Sequence, residues 1–384
     1  MAHYLIELCK RMTNEEKLEY IKESQAFTMR NRLWDKPELS LEELKALDDN
    51  CWREFSQTLL PRIPKVLYRY RPFNEHSLDE LKNGYAWFSN PADFDDGTDS
   101  ALNTDIESEI KEIDKSPSEM LSSLAHAIII PQYRSIAGHD PDKERLKNLV
   151  ELWLDGKLNI DTIKHVIANA NPEVSPEPPE EVLARLNESK ATQFIEKTLR
   201  AFLEFYMSIN ERIRSNLLCL CLAEEHDNDV MWAKYAGERS GFCVGYEIAT
   251  TSFLGQRALM MLSPVYYGEK KPLRFFDILI DGINAHENDQ INGWTTKTYE
   301  DMHVASLTKD PKWSFQKEWR VVFSPEAGNN KQPFPFVKSI YIGEKMEKDH
   351  RQELIALAKE KGWALFERKL NKSGSKIIYQ SVEF

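Results

Sequence analysis

Apolar residues recur along this chain in two rhythms, and the switches between them divide it. The first sixty residues carry a helical rhythm. Thr13 with Glu16, and Ser40 with Glu43, have capping-box spacing, and Leu41, Leu44 and Leu47 repeat on one face. Pro61 and Pro64 close that stretch. The segments 66–70 (VLYRY) and 85–89 (YAWFS) are rich in aromatic and β-branched residues and predict strands. Between them, Ser77 and Glu80 have capping-box spacing, Leu78 and Leu81 give an apolar face, and Gly84 stands where a helix C-cap belongs. From 101 to 215 the helical rhythm returns, with Leu199, Phe202, Leu203, Tyr206, Ile209 and Ile213 on one stripe and a Pro-rich break at 171–181. Strand patterns resume at 216–222, 242–248, 262–268, 318–323, 337–343, 363–368 and 376–381, separated by short helical patterns at 229–236, 272–286 and 346–361. The expected class is α+β: a mixed, largely antiparallel sheet core in 63–100 and 216–384. A helical segment, 1–62, precedes it, and a helical insertion, 101–215, interrupts it.

Composition changes this picture little. Of 384 residues, 41% are hydrophobic and 29% charged, an ordinary globular mix. Lys plus Arg number 50 against 62 Asp plus Glu, giving −12, which argues against non-specific nucleic-acid binding. One local basic run exists, Arg62, Lys65, Arg69 and Arg71. No stretch approaches the ~18 apolar residues of a membrane span. The opening MAHYLIELCKRM is too soon interrupted by charge for a signal peptide. The five cysteines are odd in number and form no CxxC pair, so they are expected as reduced thiols in a cytoplasmic protein.

Four segments carry candidate chemistry. Tyr68, Arg69 and Tyr70 alternate on the first strand, and Arg69 needs an anion, either a ligand or a structural partner. Asp93, Asp95, Asp96 and Asp99 cluster in one loop, but their spacing does not fit an EF-hand and no distal Glu follows. Trp232 and Tyr235, three apart, share a helix face suited to core packing or to stacking on a ring. In KWSFQKEWRVVF, residues Gln316, Glu318 and Arg320 alternate along an expected strand, forming a polar cleft wall or a solvated edge. The nine histidines show no HxH or HxxxH spacing, and there is no GxGxxG or Walker loop.

The order YRY, WFSNPADFDD, MWAKYA, GFCVGYE, a polar-x-E-x-R strand and VKSIYIG resembles domain-of-unknown-function family 2971 over about 66–100 and 216–345. Where the family has Glu-x-Glu-x-Arg, this chain has Gln316-x-Glu318-x-Arg320. Its Phe-Asn-Asp-Pro-Phe-Asp stands here as Phe94-Asp95-Asp96-Gly97-Thr98-Asp99. A looser resemblance, in the order of an Arg-bearing strand, a Phe-Ser strand and a late Gln-x-Glu strand, is to ADP-ribosyltransferases. That resemblance implies an ADP-ribosyltransferase-like sheet and NAD as substrate, with no metal. Catalysis would fall to Glu318 with Gln316 at the acceptor, and NAD would be held by Arg69, Tyr68, Ser89, Tyr235 and Arg320. It further implies Arg69 and Glu318 on neighbouring strands facing one cleft. The implied protein is a bacterial toxin or antiphage effector modifying a protein or nucleic acid, with a cognate inhibitor as a further partner. The alternatives are a metal-dependent hydrolase or nuclease built on Asp93 to Asp99 with Glu318, and a non-enzymatic interaction module.

Overall fold

Twelve strands alternate with helices in the computed structural model, which describes residues 11–30, 51–97, 99–100, 129–130, 133–134, 137, 139, 141–168, 177–188, 218–270, 273, 296–323, 330–371, 373 and 375–383. The helices are α1 (Asn14–Arg30), α2 (51–58), α3 (Glu75–Asn83), α4 (Lys143–Leu154), α5 (Ile160–Ala168), α6 (Pro179–Glu188), α7 (Asp229–Tyr235), α8 (Phe253–Met260), α9 (Thr296–Ser306) and α10 (Lys348–Lys361). The strands are β1 (Leu67–Arg71), β2 (Tyr85–Trp87), β3 (Leu218–Ala223), β4 (Phe242–Tyr246), β5 (Leu262–Pro264), β6 (Tyr266–Tyr267), β7 (Thr308–Lys309), β8 (Glu318–Phe323), β9 (Lys331–Pro333), β10 (Val337–Ile342), β11 (Ala364–Leu370) and β12 (Ile377–Ser381). Eight strands form one sheet in the order β12-β11-β10-β4-β1-β3-β8-β5. Within this sheet only β10 and β11, joined through α10, run parallel, and its other pairings are antiparallel. The class is therefore α+β with a mixed, mostly antiparallel sheet, as the rhythm predicts.

Cross-strand partners share a face, so the register sorts the side chains. Leu67, Leu220, Leu222, Val244, Trp319 and Ile340 point to one face and build the principal core with α1, α2 and α10. Tyr68, Tyr70, Ala223, Cys243 and Tyr341 point to the other, where they meet Trp232 of α7. Gly245 sits opposite Tyr68, and a Cβ there would stand 2.4 Å from Ser339 Oγ and 3.3 Å from the Tyr68 ring. The glycine gives Tyr68 its place on the sheet.

The chain divides into two compact units. One holds Met1–Ala101, Arg212–Lys271 and Glu300–Phe384, and with them the sheet; the other holds Leu102–Glu211 and Pro272–Tyr299. In the second unit α4, α5 and α6 bury Trp153, Ile163, Val166 and Val182, and the Trp153 indole donates to the Leu186 carbonyl at 2.7 Å. The expected caps at Ser40, the stripe from Leu199 to Ile213 and nearly all of the helical pattern at 272–286 lie outside the described residues.

Local signals hold where their partners are adjacent. Thr13 and Glu16 form the predicted capping box, with Thr13 N donating to Glu16 Oε2 at 2.6 Å and Glu16 N to Thr13 Oγ1 at 3.1 Å. Gly84 caps α3 in the left-handed region at φ 66°. The box at the start of α3 differs from expectation. Asn74 is its N-cap and Ser77 its third residue, which frees Glu80 for another use.

His303 in α9 is partly buried, and the desolvation this brings pushes its pKa down to about 4. The unfolded chain, with His near 6.5, binds that proton first, so stability present above pH 6.5 is lost as pH falls towards 4. The melting temperature of the protein should drop across this window, and His303→Gln should flatten the drop, as read by calorimetry at half-unit pH steps.

Candidate functional site

The first residues of β8 carry the densest buried charge among the described residues. Arg320 is 1% exposed. Its fork donates to both oxygens of Asp99, at 2.7 and 2.8 Å, and to Ser100 Oγ at 2.9 Å; its Nε donates to Glu318 Oε1 at 2.7 Å. Lys309 of β7 completes the group, with Nζ 3.0 Å from Glu318 Oε2 and 3.0 Å from Asp99 Oδ2. Two carboxylates and two cations leave the quartet neutral. Such a cluster is tolerable in the interior because every charge is paired and every pair is hydrogen-bonded. Burial alone would raise the pKa of Glu318, yet Arg320 and Lys309 outweigh it and hold the carboxylate below its ordinary range. Asp99 is held low in the same way, burial being outweighed chiefly by Arg320. Both acids therefore stay ionised across the physiological range.

Two chains of contacts, both leading back to α1, fix Glu318. Its backbone N–H donates to Tyr267 Oη at 2.9 Å. Asn14 of α1 in turn holds the Tyr267 backbone, accepting from its N–H at 3.0 Å and donating to its carbonyl at 2.7 Å. The next residue, Trp319, donates from its indole to Glu224 at 2.9 Å, and Glu224 is paired at 2.5 Å with buried Lys17 of α1.

In front of the quartet lies a cleft of about 290 Å³. It opens where the sheet divides: β1 and β3 share a single register pair, Tyr68 with Ala223, and beyond it the two strands become facing walls. The segment just after β2 spans the gap, with Ser89 bridging to Cys219. Tyr235 from α7 and Trp313 and Gln316 from the turn before β8 supply further wall, and Glu318 faces in from the quartet. Cys219 and Cys221 also line it, but burial pushes Cys219 up to about 12 and Cys221 well up, so neither thiol serves as a thiolate nucleophile.

Six of the seven expected site residues therefore border one cleft: Tyr68, Arg69, Ser89, Tyr235, Gln316 and Glu318. Three expectations need correction. Arg69 and Glu318 are not on neighbouring strands, since β3 lies between β1 and β8. The continuous register Tyr68–Ala223–Glu318 puts Tyr68 and Glu318 on one face, hence Arg69 on the opposite one. There the Arg69 guanidinium donates to Glu80 of α3 at 2.9 Å and to the Trp87 carbonyl at 2.9 Å, and Arg71 pairs with the same Glu80. Arg69 thus makes a structural ion pair at the edge of the cleft, with its guanidinium already engaged on that side. Arg320, unlike Arg69, does not border the cleft: it lies behind Glu318 and acts on it. Gln316 is not on the strand. Residues Pro311–Gln316 form a 3-10 turn ended by Lys317 at φ 43°, and β8 begins only at Glu318.

The acidic loop is also divided. Asp99 turns inward to Arg320, whereas Asp95 lies 3.4 Å from Lys234, whose ammonium sits 4.0 Å over the Trp313 ring. Among the described residues no group of three His, Cys, Asp or Glu side chains is arranged to hold a metal ion. No described helix is long and apolar enough to cross a membrane. Sequence reading missed Lys309 as a site residue and Asp99 as a structural one. An isolated Lys in a two-residue strand carries no pattern that singles it out.

Residues 231–321, which include most of α7 with Tyr235 and most of β8, match the family model described as "Protein of unknown function (DUF2971)". The resemblance read from the motifs thus holds over this segment, well under half of the chain, and the description carries no activity. No curated protein and no solved structure matches the chain.

Because the quartet balances, removing one member leaves a bare buried charge. Asp99→Asn should cost about 3–5 kcal/mol. Adding Lys309→Met restores neutrality and should recover most of that loss. Urea unfolding of both variants checks the pair.

Proposed function

We propose that this cleft binds NAD and that the protein is an ADP-ribosyltransferase-like effector, acting on a protein or nucleic acid in a bacterial cytoplasm. One observation carries the reading: Tyr68, Ser89, Tyr235, Gln316 and Glu318, from four separate stretches of chain, border one aromatic-walled cleft with an ionised carboxylate in its wall. Its volume of about 290 Å³ suits a ring with its sugar more than a whole dinucleotide. The pyridinium ring of NAD is planar and cationic, and aromatic walls with a carboxylate favour such a group.

The reaction would break the bond between the nicotinamide nitrogen and the ribose C1′. Nicotinamide leaves with the bonding pair, positive charge develops on the ribose, and a nucleophile of the acceptor closes on C1′ as its proton is lost. Glu318 opposes the developing charge from a position already fixed, so no reorganisation accompanies the step. Arg320 and Lys309 hold it there and also cancel part of its field. Arg320 is thus a positioning residue in this reading. Asp99 is withdrawn from the metal-dependent alternative by its two cations.

The pairing of both Glu318 oxygens favours one second reading, a module that binds such a ligand without turnover. Nicotinamide release separates the two. NAD at 100 times its dissociation constant should add about 2.7 kcal/mol of stability, and the wild type, given cell extract as acceptor source, should release nicotinamide. Glu318→Gln alone would unbalance the quartet, so the diagnostic variant is Glu318→Gln with Lys309→Met. It should fold, retain NAD binding and lose about 10²–10³ in rate. Binding without release selects the module, and wild-type protein that does neither removes the NAD reading.

A further inference from the structure

Gln316 is 6% exposed and borders the cleft, yet half of its amide is unused. Nε2 donates to Tyr235 Oη at 2.6 Å. Oε1 is enclosed and has no hydrogen-bond partner. An enclosed carbonyl oxygen without a donor costs as much as a broken hydrogen bond, so interiors rarely contain one unless something else supplies the donor. Trp313, another cleft residue, repeats the pattern with opposite polarity: its indole N–H is enclosed and unpartnered too. The two residues are three apart on the 3-10 turn Pro311–Gln316, and residues at that spacing eclipse one another along such a turn. One turn thus brings an orphan acceptor and an orphan donor to the same side, beside the Tyr235 ring. The terminal torsion of Gln is soft, so a small rotation turns Oε1 towards a ligand.

We infer that Gln316 and Trp313 form a ring-recognition subsite in which Gln316 Oε1 accepts an N–H from the edge of a planar heterocycle and the Trp313 indole donates to an acceptor on the same edge. The chemistry that fits is an amide-type edge, N–H beside a lone pair. In NAD it occurs twice, as the carboxamide of nicotinamide and as the amino edge of adenine. This inference rests on the NAD reading for its ligand and gives Gln316 a role in place of the acceptor contact expected from sequence. A site built to hydrogen-bond such a group discriminates strongly against analogues that lack it.

The test measures affinities by calorimetry for NAD, its nicotinic-acid analogue, its 6-deamino purine analogue, free nicotinamide and free adenosine. Wild type, Gln316→Leu and the shape-preserving Gln316→Glu, which keeps an acceptor there, are compared. In the wild type one dinucleotide analogue should bind about ten- to a hundredfold more weakly than NAD. Gln316→Leu should weaken NAD by the same factor while leaving that analogue unchanged, and Gln316→Glu should keep the preference. Loss on the nicotinic-acid analogue assigns the subsite to the carboxamide; loss on the 6-deamino purine analogue assigns it to adenine. If Gln316→Leu weakens all three dinucleotides alike, or none, the subsite is overturned although NAD binding stands. If NAD fails to bind but nicotinamide or adenosine binds in a Gln316-dependent way, the subsite stands and the NAD reading falls. If none of the five binds, both fall.

Discussion

The neutral quartet of Asp99, Arg320, Glu318 and Lys309 is the constraint around which the cleft is built. Its members come from three local contexts: a loop after β2, two positions on β8, and the two-residue strand β7. None can move alone, because each withdrawal would strand an opposite charge in the interior. The quartet therefore ties the acidic loop, the sheet and the strand before the 3-10 turn into one rigid wall. The turn that carries Trp313 and Gln316 hangs between β7 and β8 and inherits that rigidity from both sides.

A second constraint is topological. In a continuous sheet the backbone groups of β1 and β3 would pair along their length. Here one register pair joins them, and the cleft occupies the remainder. Beyond that pair β1 is held from its other edge by five register pairs with β4, and β3 by six with β8, so the opening does not loosen either strand. Behind β8, α1 contributes through Asn14, Lys17 and Tyr20, whose ring meets Trp319 edge-on at 5.6 Å. The N-terminal helix is thus part of the site's support and not merely a lid on the core.

How much of this was legible in the sequence follows from the range of each interaction. β8 was read at its true bounds, 318–323, because β-branched and aromatic residues declare a strand locally. The alternation of Glu318 and Arg320 on one face was equally legible. Extending that alternation back to Gln316 failed at Lys317, a non-glycine residue in the left-handed region that no propensity singles out. Arg69 was correctly seen as a cation in need of an anion. That the anion is Glu80, eleven residues on and released from the expected cap by Asn74, depends on where the helix starts, and helix ends are the least certain part of a sequence reading. The pairing of Asp99 with Arg320 spans 221 residues and a whole second unit, and nothing local encodes it.

The quartet also bears on why this wall is charged at all. Replacing a buried ion cluster by apolar side chains of similar volume is often neutral or stabilising, so stability alone does not account for it. What an apolar cluster cannot do is hold a carboxylate ionised, fixed and bordering an open cavity. Arg320 and Lys309 do that for Glu318 by outweighing the burial that would otherwise raise its pKa. The same two cations set a limit on its chemistry, since a carboxylate paired on both oxygens projects less field than a lone one. The partition of Lys309 between Asp99 and Glu318, 3.0 Å from each, makes it the member whose displacement would most change the field that Glu318 presents to the cleft. Arg320, forked onto Asp99 and enclosed on every side, would keep the carboxylate in place as that field rose.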